Sequence, residues 1–163
     1  MAANDEPNAK KIVATNRSAR HDYEVLDTVE AGLVLRGSEV KSLREAQVQI
    51  REAFARFDQG EAWLIGMHVA PWGTSGIHDL AEPDRKRKLL LHREQIERWR
   101  MRVDLERLSI VPLSLYFFGG RAKVELGLAR GRTKGDRRQA IAEREAKREA
   151  DQALGRSRKR GED

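Results

Sequence analysis

Apolar residues alternate with polar ones along most of the chain, and this two-residue period gives way to a four-residue one only near the end. Val124, Leu126 and Leu128 are separated by polar or small neighbours, the pattern of a strand that buries one face. Residues 108–118 and 122–129 enclose Gly119-Gly120-Arg121, and residues 50–57 and 62–69 enclose Asp58-Gln59-Gly60. Both arrangements predict hairpins closed by left-handed turn residues. Residues 23–29 and 33–35 cluster around Ala31-Gly32 and predict a further hairpin. Residues 38–43 fit one or two helical turns. Ile96, Trp99 and Val103 place a helix with one buried face over 90–103. Residues 71–83, with two prolines and two glycines, predict a long connection. Six or more short strands with few helices between them predict a mainly β fold, a small closed barrel of the oligonucleotide-binding type with two or three helices.

The tail follows a different rule. Ala142, Ala146, Ala150 and Leu154 recur every four residues, but an alanine stripe buries too little area to dock on a core. Asp136 and Gln139 suggest a capping box opening a helix near Arg137, with Gly155 as its stop. A helix of that length is marginal alone in water. The expected organisation is a disordered leader over 1–10, a barrel over 11–130, and a basic tail over 131–163 that becomes helical only when bound.

Charge sharpens this division. The net charge of +6 is uneven: residues 130–163 hold twelve Lys/Arg against seven Asp/Glu, and the rest of the chain twenty against nineteen. An excess concentrated in the tail, with a pI near 9.9, points to a polyanionic partner. The absence of cysteine excludes disulfides and thiolate metal sites and fits a reducing cytosol. No apolar run is long enough to span a bilayer, and residues 1–11 lack the apolar region of a signal peptide. Cytoplasmic placement with no membrane partner follows as the expectation.

Catalytic chemistry finds little support. His21, His68, His78 and His92 do not fall at metal-ligand spacing, and there is neither a phosphate-binding glycine loop nor a serine elbow. His21 beside Asp22 imitates a base with its orienter, but no nucleophile accompanies the pair. The expectation is a protein that is not an enzyme and needs no cofactor or metal. Two clusters suit RNA instead. Asn16, Arg17, Arg20, His21 and Tyr23 supply phosphate forks, base-edge donors and a stacking ring at what reads as the start of a strand. Arg85-Lys86-Arg87-Lys88 places four consecutive cations before Leu89-Leu90-Leu91-His92, a run that a phosphate-lined partner would neutralise. A solvated loop before a helix is the plainer reading of that run. A general RNA-binding barrel, such as an initiation factor, or a nuclease using His21 and Asp22, remains an alternative on these residues alone.

The order and spacing of these motifs resemble the SsrA-binding protein family (small protein B), which binds transfer-messenger RNA during bacterial ribosome rescue. The resemblance runs from about Lys11 to Arg148. It rests on residues 16–23, on Glu30-Ala31-Gly32, on Gly37-Ser38-Glu39-Val40-Lys41-Ser42-Leu43-Arg44, on residues 85–92, and on Gly131-Arg132-Thr133-Lys134-Gly135-Asp136-Arg137-Arg138. It implies an RNA-binding set of Asn16, Arg17, Arg20, His21, Tyr23, Glu30, Lys41, Arg85, Arg87, Lys88, Leu90 and His92. It also implies that Gly131, Arg132, Lys134, Asp136, Arg137 and Arg138 meet the ribosomal decoding centre. Implied partners are transfer-messenger RNA, the 70S ribosome with its empty message channel, and elongation factor Tu through the charged RNA. The chain departs from the family pattern at Gln49, Ala53 and Phe54, where two hydroxyls are lost, at Gly135, where many relatives carry a ring, and at Ala146, where some carry tryptophan.

Overall fold

The computed structural model describes residues 9–72, 82–132 and 134–160, in two compact units, Met1–Gly131 and Arg132–Asp163. The predicted connection over 71–83 lies mostly outside the described residues, as do most of the predicted leader and His78.

Unit one is built on strands β1 (Lys11–Thr15), β2 (Tyr23–Leu33), β3 (Val48–Gln49), β4 (Phe54–Asp58), β5 (Glu61–Ile65), β6 (His68–Val69), β7 (Arg87–Leu90), β8 (Ser109–Phe118) and β9 (Arg121–Gly131). Helices α1 (Arg17–Asp22), α2 (Gly37–Arg44) and α3 (Arg93–Glu106) interrupt them. The main sheet runs β1-β8-β4-β5-β7-β2-β9, and β9 also pairs with β8. The sheet therefore closes on itself as a ring of six strands, with β1 added outside on β8, and closure leaves few free strand edges. The expected small barrel is the observed fold. Its core contains Leu64, Leu89, Leu115, Val124, Leu126 and Leu128, all nearly inaccessible. Among the described residues no helix is long and apolar enough to cross a membrane.

Two of the three predicted hairpins form. Gln59 and Gly60 have φ of 50° and 76°, and Gly119 and Gly120 of 58° and 74°. Positive φ at both central residues matches the twist of the flanking strands. The hairpin expected around Ala31-Gly32 does not form, because β2 runs straight through both residues and pairs with β9 from Tyr23 to Gly32. Gly32 is small for another reason: a Cβ there would lie 3.1 Å from the Cβ of Leu90, its partner on β7.

Two other local expectations are corrected. The run 85–90 is strand for its last four residues rather than loop, and α3 begins only at Arg93, so Leu90 belongs to β7. The helix still presents the expected face: Ile96 and Trp99 are buried, and the Trp99 indole N–H donates to Asp27 at 3.2 Å. Residues 17–22 form a short helix and not the start of a strand, because the Asn16 side chain accepts from the Ala19 N–H at 3.3 Å, a helix cap.

Unit two is one helix, α4 (Lys134–Arg160). It starts at Lys134, ahead of Asp136, the expected cap. It also continues through Gly155, the expected stop. The strong helix formers around that glycine outweigh its cost of about 1 kcal/mol. Residues 141–155 are all exposed, including Ile141 and Leu154.

Candidate nucleic-acid interface

The groove beside β2 and β7 gathers residues far apart in sequence. Glu30, Lys88, Leu90 and His92 line one depression of about 1040 Å³, joined by Arg121 and Lys123 from β9. Each has a local reason to point there. Leu90 is 55% exposed at the end of β7, over the glycine that lets it approach β2. His92 caps α3, its backbone N–H donating to the Gln95 side chain at 3.0 Å, so its ring stays exposed beside the helix start. Lys88 is in an exposed pair with Glu61 at 3.2 Å. Such a pair contributes little and can be exchanged for a phosphate.

Glu30 is held rather than loose. It faces Glu125 across the β2–β9 ladder and accepts a hydrogen bond from the Tyr116 hydroxyl. Burial, then the hydrogen bond and charge of Glu30, push the Tyr116 phenol well above the ordinary tyrosine range. That proton stays in place at any physiological pH, which fixes one carboxylate oxygen and leaves the other to accept from a base or ribose donor. Tyr116, Arg121 and Lys123 were not among the expected site residues. The pairing of β9 with β2 and β8 brings them in, placing Lys123 opposite Gly32 on one side and Tyr116 on the other.

The first predicted cluster lies elsewhere. Tyr23 is seven residues from Glu30 on β2, roughly 20 Å along a strand, and opposite Gly131. Arg17 and Arg20 are exposed on α1, while His21 and Tyr23 are half-buried. The His21 ring is 3.0 Å from Asp22, which orients it. Asp22 and Tyr23 border a cavity of about 540 Å³ reaching Phe54, Arg56 and Arg100. The predicted set thus divides between two ends of the barrel. Lys41 stands exposed on α2.

Three predicted RNA residues are engaged inside the fold, Asn16 and Arg87 buried and Arg85 partly so. Asn16 is 6% exposed, its carbonyl oxygen capping α1 and its amide donating to the Pro112 carbonyl at 3.0 Å. It has no face left to read a base. Arg87 is inaccessible. Its Nε donates to Glu39 at 2.7 Å, and its Nη1 to the carbonyls of Met67 and Arg85 at 2.8 and 3.0 Å. Nη2 donates to Pro83 at 3.0 Å and lies 2.6 Å from Glu39. Arg85 bonds the same carboxylate and is only one-fifth exposed. Burial pushes the Glu39 carboxyl up, but hydrogen bonds from Arg85, the Arg36 backbone and Arg87 outweigh it, and the net shift is downward. Of the four consecutive cations, two therefore latch α2 to β7, and Lys86 and Lys88 face outward.

For the tail set, Gly131 ends β9 and Arg132 follows it, while Lys134, Asp136, Arg137 and Arg138 occupy the first turns of α4. Gln49 lies in β3, Ala53 is buried, and Phe54 is 42% exposed. Gly135 and Ala146 are both within α4.

Fold and surface define a small oligonucleotide-binding-type barrel carrying a basic helical appendage. The family model described as SmpB protein matches residues 13–156. The SsrA-binding protein of Roseiflexus castenholzii is 52% identical over 145 residues, covering 89% of this chain and 92% of that protein. That of Mycolicibacterium smegmatis is 53% identical over 148 residues, covering 90% of each. A solved structure described as "tmRNA-SmpB: a journey to the center of the bacterial ribosome" aligns with a TM-score of 0.62 at 46% identity, over 78% of this chain and 93% of that one. The chain belongs to the SmpB protein family.

Proposed function

We propose that this chain binds transfer-messenger RNA and accompanies it into stalled ribosomes during trans-translation. The observation that carries the reading is the convergence of Glu30, Lys88, Leu90 and His92 on one groove, in a chain about half identical to SsrA-binding proteins over most of its length. A held carboxylate, an exposed leucine, an imidazole and flanking cations are the parts needed to read unpaired bases and grip phosphate. Arg17, Arg20, His21 and Tyr23 form a second contact at the far end of β2.

The tail has a separate task. With its surplus of positive charge and its exposed residues 141–155, α4 is marginal without a partner. It enters the empty, phosphate-lined message channel and is held there as a helix. An intact message would fill the same space, so occupancy itself separates stalled from working ribosomes. The first turns of α4 meet the decoding centre. The protein works in the cytoplasm by recognition and positioning and breaks no bond; elongation factor Tu joins through the charged RNA.

Sequencing the RNA that co-purifies with the tagged protein tests this directly. The expected result is strong enrichment of transfer-messenger RNA that excess ordinary tRNA does not displace. Equal recovery of both would reduce the protein to a general RNA-binding barrel.

A further inference from the structure

The outward face of β4, β5 and β7 shares its edge with the groove but is centred on a side chain outside it, Trp63. Along β5, Ala62 and Leu64 point into the barrel and Trp63 points out, half-exposed. In register across the three strands, Trp63 lies between Arg56 and Lys88. The Lys86 ammonium sits 4.5 Å from the centre of the Trp63 ring. The next outward pair is Phe54 with Ile65. An indole on a solvated face, ringed by three cations, is the combination that single-stranded nucleic acid uses, bases on the ring and phosphates on the flanks. Arg56 makes no ion pair among the described residues.

The face also continues the surfaces at both ends. Glu61, Lys88 and Leu90 belong to it and to the groove. At the other end Phe54 lines the cavity shared with Asp22 and Tyr23. The band between the two predicted clusters therefore runs across Trp63.

We propose that this face is a second RNA platform, on which an unpaired base of the RNA held in the groove stacks on Trp63, with its phosphates against Arg56, Lys86 and Lys88. This rests on the reading that the groove holds transfer-messenger RNA. Lys86 leaves the ring face as the base arrives and moves to the adjoining phosphate, keeping its charge compensated throughout.

Tryptophan fluorescence tests it in the full chain. Of the three tryptophans, Trp99 is buried against Asp27 and reports the core, Trp72 follows β6 and is half-exposed, and stacking on Trp63 should add a quench that only a change at Trp63 removes. Titrating a transcript of the tRNA-like part of transfer-messenger RNA should quench the wild type. Trp63→Phe should abolish most of that quench while keeping affinity within a few-fold, since a phenyl ring still stacks. Trp63→Ala should weaken affinity about tenfold, and Lys86→Gln about threefold. If the alanine variant loses its thermal transition, Trp63→Phe and Lys86→Gln carry the test. An unchanged quench in Trp63→Phe overturns the platform. So does a Trp63-dependent quench seen only with small ribosomal subunits, which would make ribosomal RNA the occupant. Glu30→Gln combined with His92→Ala separates the underlying reading: unchanged affinity there, with the Trp63 effect intact, would remove the groove and keep the platform.

Discussion

The barrel and the tail are both cationic at points, yet they use charge in opposite ways. In the barrel, each arginine of the 85–88 run is tied to a named acceptor: Arg87 is inaccessible, and Arg85 shares its carboxylate partner Glu39. In α4 the middle of the helix, residues 141–155, is exposed throughout. A cation fixed in a folded body can select a partner by shape, whereas cations on an exposed helix attract any phosphate lattice of suitable spacing. Under the proposed function, the barrel would choose the RNA and the tail would respond to the ribosome.

The strongest way to break that contrast is to unlatch the barrel. Glu39→Gln or Arg87→Ala should cost about 3–5 kcal/mol of stability, because one member of a buried pair is left uncompensated; thermal melts check this. The Glu39 carboxyl is lowered in the fold, so its contribution is complete above the ordinary glutamate range and is lost as pH falls through the depressed value. Glu39→Gln should accordingly lose less stability than the wild type over that acid window. If Arg87→Ala instead kept its melting temperature and lost RNA affinity, Arg87 would be an RNA ligand after all.

A second change acts on the tail alone. Prolines at Ala142 and Ala146 keep every charge but interrupt α4, at about 3 kcal/mol each. Binding of transfer-messenger RNA should be normal and peptide tagging on stalled ribosomes should fail. Full tagging would mean that the tail works by charge without a continuous helix.

Salt sharpens the contrast further. With about five phosphate contacts, affinity of the whole protein for transfer-messenger RNA should fall about a hundredfold between about 50 and 200 mM salt. A flat response would point to a mainly apolar or stacking interface. The smallest expected effect is that of reversing Arg17 and Arg20 together. Loss of two guanidinium contacts should weaken the RNA about tenfold or more without altering the circular-dichroism spectrum. Unchanged binding would remove α1 and the start of β2 from the RNA contact.

The two hairpins with left-handed turns were legible in the sequence because their chemistry is local: Gln59-Gly60 and Gly119-Gly120 carry the required φ themselves. The inner half of the site was not legible, because it depends on pairing. Residues 85–88 look like an unbroken basic run until β7 sets their alternation. Arg87 then shares a face with Leu89, and its partner Glu39 comes from α2, 48 residues away. Trp63 was hidden in the same way: its meaning comes from Arg56 and Lys88 on neighbouring strands. The short helix α1 was missed although its signal was present, since Asn16 is a favoured cap residue and six residues are too few to show a period. The family resemblance pointed to Glu30, Leu90 and His92 from motif order, and the closed sheet explains why these three meet.

The division of labour is tested most directly by the affinity of residues 1–131 for transfer-messenger RNA, measured beside that of the whole chain in the same salt. The account predicts values within about threefold, because the tail supplies only a non-specific electrostatic increment to this RNA. A loss of about thirtyfold or more would equal some 2 kcal/mol. It would place RNA selection in the tail and contradict the account.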